Sequence, residues 1–280
     1  MQYSTLPVSL YADFAAGRRT LGEWFRLAAD LGLDGADISV AHLKNLSAPY
    51  LDQLRSEATD AGVQIAMIAT YSDFTHPQAA ERARQIEEVH EYIDAAARMG
   101  ASFVRVTAGQ RHPGVEQAAG IAWAVEGLTS CLDHAAEVGV TLTYENHTKG
   151  SVWQYYDFSQ PASIFLEIMR HTAGSGLRLL YDTANTLGSG DDPLAVLAEV
   201  RERIDVIHVN DIRRAGHFEP CLVGTGVAPI EAIFRVLAQS NFAGWISVEE
   251  ASNQGEAGFR QAIPYVKALW ARIQNEASAA

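Results

Sequence analysis

The chain has 280 residues, 48% of them hydrophobic and 20% charged, which is enough to bury a barrel-sized core in an ordinary soluble domain. Its formal charge of -13 argues against sequence-independent binding to nucleic-acid phosphates, which needs clustered Lys and Arg. No signal peptide or membrane-length apolar run is legible, and only Cys131 and Cys221 occur, without CxxC spacing, so free thiols and a cytoplasmic setting are expected.

In chain order, short apolar or β-branched runs alternate with longer stretches of helical period. The expected strands lie in LPVSLYAD, GADISV, VQIAMIAT, SFVRVTAG, VTLTYENH, LRLLYDTA, DVIHVND and GWISVEEAS. Amphipathic segments follow them near 20–32, 48–61, 78–99, 116–138, 161–172, 192–202, 229–239 and 256–273. Gly32, Gly62, Gly100 and Gly139 stand where helices should stop before the next strand. Strand–helix alternation calls for a parallel sheet with crossover helices, and eight units predict an α/β (β/α)8 TIM barrel. A doubly wound sheet would usually carry a Gly-rich phosphate turn after an early strand, and neither GxGxxG nor GxxxxGK[ST] occurs. The GTG at Gly224–Gly226 falls in a loop. No linker divides the chain, so residues 1–280 are expected to form one domain with a frayed tail at 274–280.

Four of the later strands end in residues able to bind a metal: Glu145, Asp182, His208 and Glu249, one per strand. Taken singly, Asp182 reads as a turn cap, Glu249 as a solvated strand end and His208 as a core histidine. Glu145, inside so apolar a strand, needs compensation. Strand C-termini converge on one face of such a barrel, so the four can surround one divalent cation. Three carboxylates and one imidazole suit Mn²⁺ best among Mn²⁺, Mg²⁺, Co²⁺ and Zn²⁺, and without a thiolate the set is unlike a structural zinc site.

TLTYENH, LLYDTAN, VIHVND and SVEE resemble the corresponding segments of the xylose isomerase-like TIM barrels. That superfamily includes sugar and sugar-phosphate isomerases, ketose 3-epimerases, hydroxypyruvate isomerases, inosose dehydratases and endonuclease IV. The resemblance covers nearly the whole chain as a βα pattern. It implies that Glu145, Asp182, His208 and Glu249 bind one metal, and that Glu145 and Glu249 also serve as the acid/base pair. Many epimerases carry a His where this chain has Asn185. Endonuclease IV needs that His and a DxH pair, which HVNDIRR lacks, so DNA repair fits poorly.

The activity expected is a metal-dependent sugar or sugar-phosphate isomerase or epimerase, working by proton abstraction beside a carbonyl. The alternatives are a dehydratase or lyase acting on a polyol ketone, as in inosose and dehydroshikimate dehydratases, and a non-catalytic sugar-binding barrel. His147, Asn185, Arg213 and Trp153 are expected to bind substrate, with Asn146 and Lys149 as further candidates. Arg105, on the fourth strand, reads as a buried ion-pair partner or a substrate contact, and Tyr11 and Tyr71 chiefly as loop packing. The partner is a small sugar-like molecule; the acidic surface does not forbid a homo-oligomer.

Overall fold

A computed structural model describes residues 1–279. The strands are β1 (Gln2–Leu6), β2 (Gly35–Ser39), β3 (Gln64–Ala69), β4 (Phe103–Val106), β5 (Thr141–Glu145), β6 (Arg178–Asp182), β7 (Ile204–Val209), β8 (Ile212–Arg214), β9 (His217–Pro220) and β10 (Trp245–Glu249). Eight of them form one parallel sheet in the order β1-β10-β7-β6-β5-β4-β3-β2, with helices on the crossovers. The barrel is nearly closed. At its β1/β2 seam the strands are stitched by Asp34 N–H donating to Tyr3 O (2.9 Å), Tyr3 N–H to Asp34 Oδ2 (2.8 Å), and Ser4 Oγ to Asp37 Oδ2 (2.9 Å).

Local signals explain most boundaries. Thr20 and Glu23 form a reciprocal capping box at the start of the helix Leu21–Asp30, satisfying amide groups that would otherwise be unpaired. Gly62 and Gly100 end the helices Ala48–Ala61 and Ala79–Met99 at φ of 82° and 75°, a left-handed conformation that costs a Cβ-bearing residue energy.

The structure departs from the sequence expectation in three places. The first strand is QYSTL, one segment earlier than LPVSLYAD, which instead forms a 3-10 turn (Val8–Leu10) and a short helix (Tyr11–Ala15). Pro7 has no N–H for a ladder, so pairing stops there. The helix expected over 116–138 breaks into Gln117–Ser130 and Leu132–Glu137 at Cys131, whose φ and ψ of -91° and -8° leave the helical optimum. The stretch after β7 is an antiparallel hairpin of β8 and β9, turned at Gly216 with φ of 71°. The last helix runs Glu256–Ala279.

Alternation along the strands divides the barrel interior into layers. Ala66, Met67, Phe103, Leu180, Val206 and Trp245 make a separate apolar cluster. Two residues further along their strands come Arg105, Asp182, His208 and Ser247, all buried. A polar layer therefore rests on an apolar plug, at the end of the barrel where the strands terminate. Both cysteines are free, as the sequence implied, and both are buried. Among the described residues no helix is long and apolar enough to cross a membrane.

Candidate metal centre

The ends of β5, β6, β7 and β10 bring Glu145, Asp182, His208 and Glu249 together, with one potential ligand atom from each lying within 4.8 Å of the others. Backbone register sets part of this: Asp182 is opposite His208 across β6/β7, and Ser247, two residues before Glu249, is opposite His208 across β7/β10. His208 Nδ1 is 3.1 Å from Glu145 Oε1 and 3.5 Å from Glu249 Oε2. Asp182 and His208 are fully buried and Glu145 nearly so, whereas the Glu249 side chain is 18% exposed and opens toward the mouth.

Each carboxylate is held from behind. Asp182 Oδ1 accepts the N–H groups of Ala184 (2.7 Å) and Asn185 (2.6 Å), so its other oxygen, Oδ2, is left buried without a hydrogen bond. Asn146 clamps β5 to β6, accepting Asp182 N–H at 2.7 Å and donating to Asp182 O at 3.0 Å. Asn210 donates to Glu249 Oε2 at 3.3 Å. Glu145 Oε2 lies 3.2 Å from Arg105 Nε, out of line for a hydrogen bond, while Arg105 Nη1 donates to Thr70 O at 2.7 Å.

The electrostatics follow from this crowding. Burial pushes the Glu145 carboxyl up, but Arg105 and His208 outweigh it and bring it down to about 2. Burial pulls His208 down, yet Glu249, Glu145 and Asp182 together raise it to about 9. Asp182 is raised well above the usual carboxylate range by burial, then by Glu249 and Glu145. Three carboxylates around one imidazole thus lack positive charge at their centre. With the orphaned Asp182 Oδ2 and an oxygen-rich donor set, the residues fit a divalent cation.

Of the residues expected to bind substrate, His147 and Trp153 meet edge to face, with ring centroids 5.4 Å apart. His147 Nδ1 is 3.4 Å from the buried Asp157 Oδ2, and Trp153 Nε1 donates to Tyr71 O at 3.3 Å. Asn185 sits behind Asp182 and accepts from Thr148 Oγ1 at 3.3 Å. Arg213 is not brought to the cluster; its side chain is 64% exposed and pairs with Glu219 across the β8/β9 hairpin at 3.2 Å. Lys149 is exposed, its Nζ 5.7 Å from the centre of the Tyr156 ring. The GTG loop amides are already used: Gly224 and Gly226 N–H donate to Asp211 Oδ2 at 3.0 and 2.8 Å.

Sequence reasoning missed Asn210 and underrated Tyr11, whose buried hydroxyl lacks a hydrogen bond and is raised well above the usual phenol range, first by burial and then by the neighbouring Tyr71 and Glu249 side chains. Asn210, two residues beyond His208, shares its strand face by the period-2 rule, a signal that could have found it.

Fold and site define a (β/α)8 barrel with a carboxylate–imidazole cluster at the C-terminal mouth. The chain belongs to the xylose isomerase-like TIM barrel family, whose model matches residues 25–269. Among curated relatives, the inosose dehydratase of Clostridium botulinum (strain Alaska E43 / Type E3) is 28% identical over 141 residues, covering 44% of each chain. That of Lacticaseibacillus casei is 27% identical over 170 residues, covering 55% of each. The chain thus spans about half the length of the curated relatives it matches. Among solved structures, the IOLI protein with a bound zinc atom superposes with a TM-score of 0.79 at 16% identity, over 99% of both chains. D-psicose 3-epimerase in the presence of D-fructose gives 0.75 at 15%, over 98% of this chain and 99% of that one.

Proposed function

We propose that this barrel is a metal-dependent isomerase or epimerase of a sugar or sugar phosphate, which removes a proton from the carbon beside a carbonyl. The observation that carries the reading is the convergence of Glu145, Asp182, His208 and Glu249 at the strand ends with a deficit of positive charge at their centre. A bound divalent cation, Mn²⁺ being the choice that best suits three carboxylates and an imidazole, would polarise the substrate carbonyl and acidify the adjoining C–H.

The chain's own residues have distinct parts. Glu249, the ligand open to the mouth, takes the C–H proton as base; the electron pair passes into the C–C bond and the carbonyl oxygen gains charge, giving an enediolate. Return of that proton from Glu249 to the former carbonyl carbon, with the hydroxyl proton passing to the charged oxygen, yields the isomer; delivery of a proton to the original carbon from the opposite face, with protonated Glu145 as the acid, yields the epimer. His147 and Trp153 form a wall for substrate hydroxyls and carbons. Two buried free thiols suit a reducing, cytoplasmic setting.

Dehydration of a polyol ketone is the second reading, favoured by two observations. The two curated relatives named above are inosose dehydratases. The two glutamates are also unequal: Glu145 is buried beside Arg105 and His208, whereas the Glu249 side chain opens toward the mouth. After the C–H proton reaches Glu249, a hydroxyl on the next carbon leaves as water with a proton from His147.

Incubation of the Mn²⁺-loaded protein with ketoses and inososes in D₂O tests both readings by mass spectrometry. Deuterium at the carbon beside the carbonyl of an isomer supports the first, and loss of one water from the substrate supports the second. Turnover in D₂O with neither would contradict proton abstraction.

A further inference from the structure

His147 follows β5 by two residues, and its Nδ1 lies 3.4 Å from Asp157 Oδ2. Catalytic hydrogen bonds are often this long before a substrate tightens them. Both atoms are buried and neither has another hydrogen-bond partner. The opposite edge of the ring is free: Nε2 is not buried and hydrogen-bonds no described residue.

Asp157 is built into a position from which it can hold the ring. It is fully buried, and its Oδ1 accepts both the N–H and the Oγ–H of Ser159 at 2.7 Å, which leaves Oδ2 for His147. Its own N–H donates to Thr148 O at 2.7 Å, tying it to the residue after His147. Phe158 N–H donates to Gly109 O at 2.7 Å, which anchors the segment to the loop after β4. Trp153, inside the loop so closed, packs edge to face on the His147 ring. Burial raises the Asp157 carboxyl, with His147 and Ser159 acting against that rise. The Tyr144 hydroxyl, also buried without a hydrogen bond, is raised well above the usual phenol range by burial and then by Asp157, so it stays neutral. A buried carboxylate needs a donor on each oxygen, and the one in reach of Oδ2 is His147 Nδ1–H.

Resting on the reading of His147 as a group that meets the substrate, we infer that Asp157 is its positioning residue: Oδ2 accepts Nδ1–H, fixes the ring and its tautomer, and leaves Nε2 to exchange a hydrogen bond or a proton with a substrate hydroxyl. A neutral ring whose Nδ1 donates to a carboxylate carries its lone pair on Nε2.

Asp157→Asn reverses this arrangement. The two Ser159 donors keep the amide oxygen on their side and turn the amide N–H groups toward Nδ1, which moves the ring proton to Nε2. ¹⁵N-histidine NMR of the protein with Zn²⁺ in mildly alkaline buffer, with the His147 signals assigned by their loss in His147→Gln, reads the tautomer. The proton is expected on Nδ1 in wild type and on Nε2 in Asp157→Asn. Ser159→Ala removes one bond to Oδ1 and leaves Oδ2 in place, so it is expected to lose stability and keep the wild-type tautomer. On a substrate that the wild type turns over, Asp157→Asn is expected to lower kcat by about 10²–10⁴-fold with a smaller change in KM, and to add no further loss in the His147→Gln background. A wild-type proton on Nε2, an unchanged tautomer in Asp157→Asn, or a full further loss in the His147→Gln background overturns the inference. If Asp157→Asn fails to fold, the wild-type tautomer decides alone. A wild type that turns over neither ketoses nor inososes would instead contradict the proposed function, and the tautomer would still decide the role of Asp157.

Discussion

Arg105 Nε stands 3.2 Å from Glu145 Oε2, and both side chains are buried. The guanidinium is thus the resident positive charge beside a metal ligand, and removing it leaves an uncompensated buried carboxylate. Arg105→Met is expected to destabilise the metal-free protein by about 3–5 kcal/mol, because breaking a buried pair from one side strands the other charge. At this size, each kcal/mol lowers the unfolding temperature by about 2–4 °C. The shift on adding Mn²⁺ should be larger in Arg105→Met than in wild type, since the ion supplies the missing charge. Paired thermal scans with chelator and with metal check this; equal shifts would contradict it.

Glu249 and Glu145 should answer differently to the same substitution. Glu249→Gln removes the base open to substrate and should lower turnover by about 10²–10⁴-fold, with a smaller loss of metal affinity. Glu145→Gln should weaken metal binding more, because it removes the carboxylate held by Arg105 and His208. Kinetics with calorimetry on both variants separates the roles, and equal losses on both axes would refute the division.

These two glutamates also mark how far the sequence reaches. Glu145 and Glu249 were legible because a charge at the end of an apolar strand is costly unless shared, and a parallel barrel gathers successive strand ends at one mouth. Helix stops were legible through Gly62 and Gly100, whose left-handed conformation favours glycine. The first strand was misplaced because Pro7 separates two runs of similar apolarity, and only pairing with β10 shows that Gln2–Leu6 is the strand. Arg213 was a loop residue by count, and the β8/β9 hairpin that carries it outward depends on long-range geometry. Asp37 left no trace, since a lone aspartate in GADISV gives no hint that β1, β2 and β10 bring it to Ser4 and Ser247.

The metal-free protein should become less stable as pH rises past neutrality. His208 is raised from 6.5 to about 9, so its stabilising contribution is complete below 6.5 and is lost as pH climbs through about 9. Asp182, also raised, acts in the same direction, whereas Glu145, lowered to about 2, matters only in acid, between 4.5 and about 2. Thermal unfolding under chelator across this range should show the decline, and His208→Asn should lack the portion between 6.5 and about 9. Metal binding requires the deprotonated ring, so the stabilisation by Mn²⁺ should grow over the same interval.

Calorimetric titration of chelator-treated protein with Mn²⁺, repeated on Asp182→Asn, decides whether Glu145, Asp182, His208 and Glu249 hold one divalent cation. One ion per chain is expected for wild type, and binding at least about tenfold weaker in the variant, whose buried Oδ2 no longer offers a carboxylate oxygen. A wild-type chain that binds no Mn²⁺, Co²⁺ or Zn²⁺, or a variant that binds as wild type does, would contradict it.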